Sequence, residues 1–118
     1  MKGVLASFVY AWRGLTQVCR TERNMKIHLG AAVIALVLSG FFRLSWQEFL
    51  FVLLAIALVL LAEAFNTAIE TVVDLVSPDY HKLAGRAKDI AAGAVLVAAI
   101  FSAIVGIVVF GRHILGTY

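Results

Sequence analysis

The sequence predicts an all-α integral membrane protein, with three transmembrane helices following an N-terminal amphipathic helix that lies on the membrane surface. Three observations carry this reading. Of 118 residues, 63% are hydrophobic and 14% charged, and the mean hydropathy is +0.99, a balance unlike that of a water-soluble domain. The charge-poor stretches are long enough for about three spans. The ten Lys and Arg residues also collect between those stretches: Lys2, Arg13, Arg20, Arg23 and Lys26 before the first, Arg43 after it, Lys82, Arg86 and Lys88 before the last, and Arg112 near the end. The positive-inside rule then places the N-terminal segment and residues 82–88 in the cytoplasm, with Arg43 and the C-terminus outside, so the number of spans is odd. A net charge of +3 raises the question of nucleic acid, but the basic residues bracket apolar spans instead of lining one face, and no nucleic-acid partner is expected. The single cysteine, Cys19, excludes an intramolecular disulfide, and no Cys/His cluster has zinc spacing.

The elements follow in order within one domain, 1–118. In residues 1–22, Val4, Leu5, Phe8, Trp12, Leu15 and Cys19 share one arc of a helical wheel, while Lys2, Arg13 and Arg20 fall opposite, as in a helix lying in the interface. A signal peptide fits less well, because Arg13 interrupts the apolar stretch and no small-residue cleavage site follows. The first span is expected over 27–46, with Leu44 to Trp46 needed to complete a marginal crossing. The second, 47–76, reads as one long helix. A connection over 77–87 follows, in which Pro78 suits the first turn of a short helix capped by Ser77. The third span, 88–112, contains the uncharged run 90–111, about 33 Å long as a helix. There Ala94, Ala98, Ser102 and Gly106 recur every fourth position and allow close approach of another helix.

Charge inside the second span is the unusual feature. Glu63, Asn66, Thr67, Glu70 and Asp74 are spaced so that they share one narrow helix face. Carboxylates at membrane depth cost several kcal/mol unless paired, protonated or facing a cavity, which makes them functional candidates. The plainer alternative is a hydrogen-bonded seam between helices, but three acids exceed what a seam needs. Glu22 and Asp89 lie near the cytoplasmic boundary. Singly they read as solvated charges, Glu22 pairing with Lys26. Together with Glu70 and Asp74 they can supply hard oxygen ligands to Mg²⁺, which commonly binds through one or two carboxylates plus substrate phosphates. His28 and His81 fit interfacial anchors as well as ligands, and His113 belongs to the opposite side. No glycine-rich phosphate loop is present, so phosphate chemistry must be built from helix faces, with Lys88 as a point charge.

The stretch EAFNTAIETVVDLVSPDYHKLAGRAKDIAAGAVL, residues 63–96, closely resembles the signature of the prokaryotic diacylglycerol kinase family. The resemblance extends back through TERN, residues 21–24, and through Tyr10, Trp12 and Gly14, and so covers nearly the whole chain. It implies a small lipid kinase of the bacterial inner membrane, with ATP as phosphoryl donor and Mg²⁺ as cofactor, working as a homotrimer with active sites shared between subunits. By position, Glu63 resembles the catalytic base, Glu22 and Glu70 the metal-binding acids, and Asn66 their close support, with Asp74 beside them. Tyr10, Glu22, Glu70, Asp79, Tyr80, His81, Lys88 and Asp89 resemble nucleotide contacts. Where some relatives carry a basic residue near the start, this chain has Val4, with Lys2 nearby to compensate. Relatives divide by acceptor. RTERNMKIH, residues 20–28, resembles the undecaprenol kinases of Gram-positive bacteria, whereas YHKLAGRAKD, residues 80–89, resembles the diacylglycerol kinases. Undecaprenol is the favoured acceptor and diacylglycerol the alternative. From other classes, the polar face would also suit an ion or proton pathway, which gives Glu22 and the Lys88 and Asp89 pair no role, and the small-residue stripe alone would suit a packing subunit.

Overall fold

The computed structural model describes residues 3–117, in which the chain forms four α-helices in the order α1 (Gly3–Thr21), α2 (Arg23–Phe42), α3 (Trp46–Val76) and α4 (Lys82–Leu115). Lys2 lies outside the described residues. The last three helices are long and apolar enough to cross a membrane.

α1 presents Val4, Leu5, Phe8, Trp12 and Leu15 outward, all more than half exposed, as an interfacial helix should, and buries only Val18. Glu22 ends it. This residue is extended (φ −97°, ψ 118°), so the chain breaks for one position and restarts as α2, with the Lys26 N–H donating to the Glu22 carbonyl at 3.2 Å.

The first membrane helix is shifted from the expected 27–46. It starts at Arg23 and stops at Phe42, so Leu44 to Trp46 do not prolong it. The reason is local. Arg43 takes a left-handed conformation (φ 52°), and the N–H groups of Arg43 and Leu44 close on the carbonyls of Gly40 and Ser39. Ser45 then caps α3: its hydroxyl accepts from the Glu48 N–H at 3.2 Å, and the Glu48 carboxylate accepts from the Ser45 N–H at 3.0 Å, a reciprocal capping box. With 20 residues α2 is about 30 Å long, enough for one crossing.

α3 and α4 form the main helix pair. Val52, Ala55, Val105 and Val109 make its buried apolar cluster, and Ser102 Oγ donates to the Ala55 carbonyl at 3.0 Å. The small side chain of Ser102 allows that approach, so part of the four-residue stripe on α4 is used within the chain. At the far end, His113 Nε2 lies 3.0 Å from Glu48 Oε2, with Phe42 against the imidazole at 5.6 Å.

The short helix expected at Pro78 does not form. Ser77 instead ends α3, its N–H donating to the Val73 carbonyl and its hydroxyl to the Asp79 carbonyl at 3.0 Å. Among the described residues no following N–H donates to the Ser77 hydroxyl, and α4 starts at Lys82 with His81 as its cap, Nδ1 accepting from the Leu83 N–H at 3.1 Å. The non-helical connection is therefore shorter than 77–87, because the helix that carries the third span begins six residues before the expected start at Lys88.

Candidate active site

The length of α3 decides where its charges sit. Trp46 opens the helix at one interface, and a hydrocarbon core of about 30 Å is crossed in about 20 residues. Glu63 therefore falls near the far edge of that core, and Glu70, about 10 Å further along at 1.5 Å per residue, falls at headgroup level. Burial follows the same gradient: Glu63 is 1% exposed and Asn66 is buried, Thr67 and Glu70 are half-buried, and Asp74 is exposed.

Other elements converge on that face. Glu22, at the α1–α2 junction, lines a groove with Thr67 and Thr71 of α3, and its carboxylate makes no capping hydrogen bond. Both Glu22 and Glu70 act electrostatically on Glu63. From α2, His28 Nε2 stands 3.7 Å from Glu63 Oε2. Along α3 itself, Asn66 Nδ2 donates to Glu70 Oε1 at 2.7 Å. Three polar atoms on this face, Glu63 Oε2, Asn66 Oδ1 and Thr67 Oγ1, are buried without a hydrogen-bond partner. Buried polar atoms normally find partners, so three unpartnered oxygens within five residues single out this stretch of α3 as the candidate site.

Near the C-terminal end of α3, Lys88 Nζ donates to Asp74 Oδ1 at 2.5 Å and joins α4 to α3. Tyr10, Asp79, Tyr80, His81 and Asp89 are exposed, Tyr10 with the Arg13 guanidinium over its ring at 5.6 Å. Among the described residues no hydrogen bond or ion pair ties these five side chains to the acidic cluster. The structure thus brings together Glu22, Glu63, Asn66 and Glu70, places Lys88 and Asp74 beyond them as a pair, and leaves the remaining predicted contacts on the surface. Val4, the departure from the family pattern, is 71% exposed.

The sequence left His28 open between interfacial anchor and ligand, and one further residue of consequence went unread. His28 meets Glu63 across helices, and no spacing in the chain announces that contact. Glu48 pairs with His113 and caps α3; the Ser45-x-x-Glu48 pattern was the available signal.

For a divalent cation the donor chemistry fits. Glu22 and Glu70 offer carboxylate oxygens, and Asn66 Oδ1 is an unclaimed amide oxygen. Among the described residues no three His, Cys, Asp or Glu side chains stand close enough to enclose an ion, so the rest of its shell must come from water or phosphate, the usual arrangement for Mg²⁺.

Three membrane-length helices, the middle one carrying Glu63, Glu70 and Asp74, define a polytopic membrane protein with carboxylates on a membrane helix. Residues 9–110 match the family model for prokaryotic diacylglycerol kinase, and the chain belongs to that family. It is an all-α membrane lipid kinase, a phosphotransferase with an alcohol group as acceptor. An undecaprenol kinase of Bacillus subtilis is 44% identical over 104 residues, covering 88% of this chain and 85% of the relative. A diacylglycerol kinase of Synechocystis is also 44% identical over 104 residues, but the match spans only 59% of that longer relative. A diacylglycerol kinase of Escherichia coli is 32% identical over 104 residues, 88% of this chain and 85% of the relative. Membership replaces the ion-pathway and packing-subunit alternatives.

Proposed function

We propose that this lipid kinase transfers the γ-phosphoryl group of Mg-ATP to undecaprenol at the cytoplasmic face of the bacterial inner membrane, with Glu63 as the base. The observation that carries the reading is the pairing of burial with an unclaimed oxygen. Glu63 is sealed at the level a lipid hydroxyl reaches from the hydrocarbon side, and its Oε2 has no hydrogen-bond partner. Glu70 is held by Asn66 one level nearer water, where phosphates arrive.

Glu63 takes the proton of the acceptor hydroxyl as that oxygen attacks phosphorus, and low water access keeps the proton from competing donors. Glu22 and Glu70, supported by Asn66, would hold Mg²⁺, which when bound neutralises phosphate charge and orients the transferring group. Lys88, fixed by Asp74, adds a positive charge on the nucleotide side, with Tyr10, Asp79, Tyr80, His81 and Asp89 as further nucleotide contacts. Undecaprenol is favoured by residues 20–28 and by the Bacillus subtilis relative, whose full length is the better covered of the two at 44% identity. Diacylglycerol is the second reading, favoured by residues 80–89.

The assembly is proposed as a homotrimer with shared sites. The family resemblance over residues 63–96 and the small residues Ala94, Ala98 and Gly106 on α4, which allow close approach of another helix, support that assembly. Purified protein given Mg-ATP and each lipid in turn tests the proposal, the expected result being lipid-dependent ADP release that is faster with undecaprenol. Equal or faster release with diacylglycerol overturns the acceptor assignment.

A further inference from the structure

A base buried as deeply as Glu63 has to lose its proton after each turnover, and one titratable side chain, His28, stands beside it. The Glu63 side chain is 2% exposed and the His28 side chain 19%, so the imidazole is the less sealed member of the pair. His28 Nε2 lies 3.7 Å from Glu63 Oε2, an ion-pair distance that a small side-chain rotation shortens to a hydrogen bond. Catalytic hydrogen bonds are often this long before substrate binds. Among the described residues the imidazole makes no other polar contact, which leaves it free to turn toward Glu63 or away from it. The oxygen it faces is the unpartnered one.

We propose that His28 is a positioning residue for Glu63, holding its carboxylate for the acceptor hydroxyl and then removing the proton that the carboxylate has taken. The proposal rests on the reading of Glu63 as the base. In the transfer step the lipid oxygen bonds to the γ-phosphorus, the bond from that phosphorus to the ADP oxygen breaks, and ADP leaves with the electron pair. The hydroxyl proton passes to Glu63, which becomes a carboxylic acid. Glu63 then gives it to neutral His28, whose imidazolium releases it to water at the cytoplasmic edge, and the carboxylate is restored. The other charges around this pair come from Glu22 at the α1–α2 junction and Glu70 of α3, which act on Glu63, and from Lys88 of α4, which acts on Glu70. Both acids favour a cation at position 28 while the proton is in transit.

The test uses full-length protein in mixed micelles with saturating lipid. His28→Gln keeps a polar side chain of similar reach but cannot carry a proton, and it should lower kcat at least tenfold while the KM for ATP changes less than twofold. His28→Ala leaves space for a small molecule. Added imidazole should restore its turnover severalfold, whereas pyrazole, of equal size but a far weaker base, should not. A purely structural histidine predicts equal rescue by both or by neither, and either result overturns the proposal, as does wild-type kcat in His28→Gln. Should one variant fail to fold, the other still decides. Glu63→Gln measured alongside separates the two readings. If it is inactive while His28→Gln is fully active, only the role of His28 fails, whereas an active Glu63→Gln removes the base reading beneath it.

Discussion

Asn66 donates from Nδ2 to Glu70 Oε1 at 2.7 Å, tying a buried amide to a half-buried carboxylate one turn further along α3. A carboxylate can only accept, so the contact fixes which amide atom faces Glu70, and Asn66 Oδ1 is left buried without a partner. One bond therefore positions two oxygen donors. Asn66→Asp places a second carboxylate against Glu70 and should lower kcat/KM for ATP by about tenfold or more, because the acids repel and the fixed geometry is lost. Steady-state kinetics over a range of ATP concentrations checks this, and unchanged kinetics would contradict it.

Glu63→Gln preserves volume and hydrogen bonding but cannot accept a proton. Turnover should fall by about 10²-fold or more with nucleotide affinity little changed. A seam residue would tolerate the neutral amide. Parallel measurement of kcat and of ATP binding separates the two, and near wild-type turnover in a folded variant would exclude the base role.

Glu22→Gln and Glu70→Gln each remove an anionic oxygen from the proposed Mg²⁺ site. Both should require more Mg²⁺ for half-maximal activity, and raising Mg²⁺ should partly restore turnover. Titrations of activity against Mg²⁺ at fixed ATP read this directly. Wild-type Mg²⁺ dependence in both variants removes these acids from the site.

The acceptor is settled by competition. With undecaprenol and diacylglycerol in matched mixed micelles, the specificity constant should be higher for undecaprenol. The reverse order would leave a lipid kinase with the other acceptor.

Ser45→Ala deletes the hydroxyl that accepts from the Glu48 N–H, and should cost about 1 kcal/mol of stability. The cap lies at the end of α3 remote from Glu63, so kcat should be unchanged. Thermal unfolding in detergent, with activity measured on the same preparation, tests both halves of this expectation.

Much was legible in the sequence because it is written in one dimension. The absence of charge over residues 90–111 requires burial in lipid, and the spacing of Glu63, Asn66, Thr67, Glu70 and Asp74 puts them on one face of any helix that contains them. Those facts, with the family signature over residues 63–96, determine the class of membrane helices and the identity of the acids. Local hydrogen bonds moved the element boundaries. The left-handed turn at Arg43 ended α2 early, and the cap that starts the next helix is the His81 imidazole rather than the Ser77 hydroxyl.

Only tertiary structure decided which groups meet across helices. Periodicity gives the direction in which a side chain leaves its own helix, but not which turn of a neighbouring helix lies opposite, because that depends on crossing angle, depth and the size of the residues at the contact. The pairing of Glu48 with His113 follows from α3 and α4 packing along their length through Val52, Ala55, Val105 and Val109. The meeting of His28 with Glu63 follows from where α2 crosses α3, and that crossing places an imidazole beside the buried carboxylate.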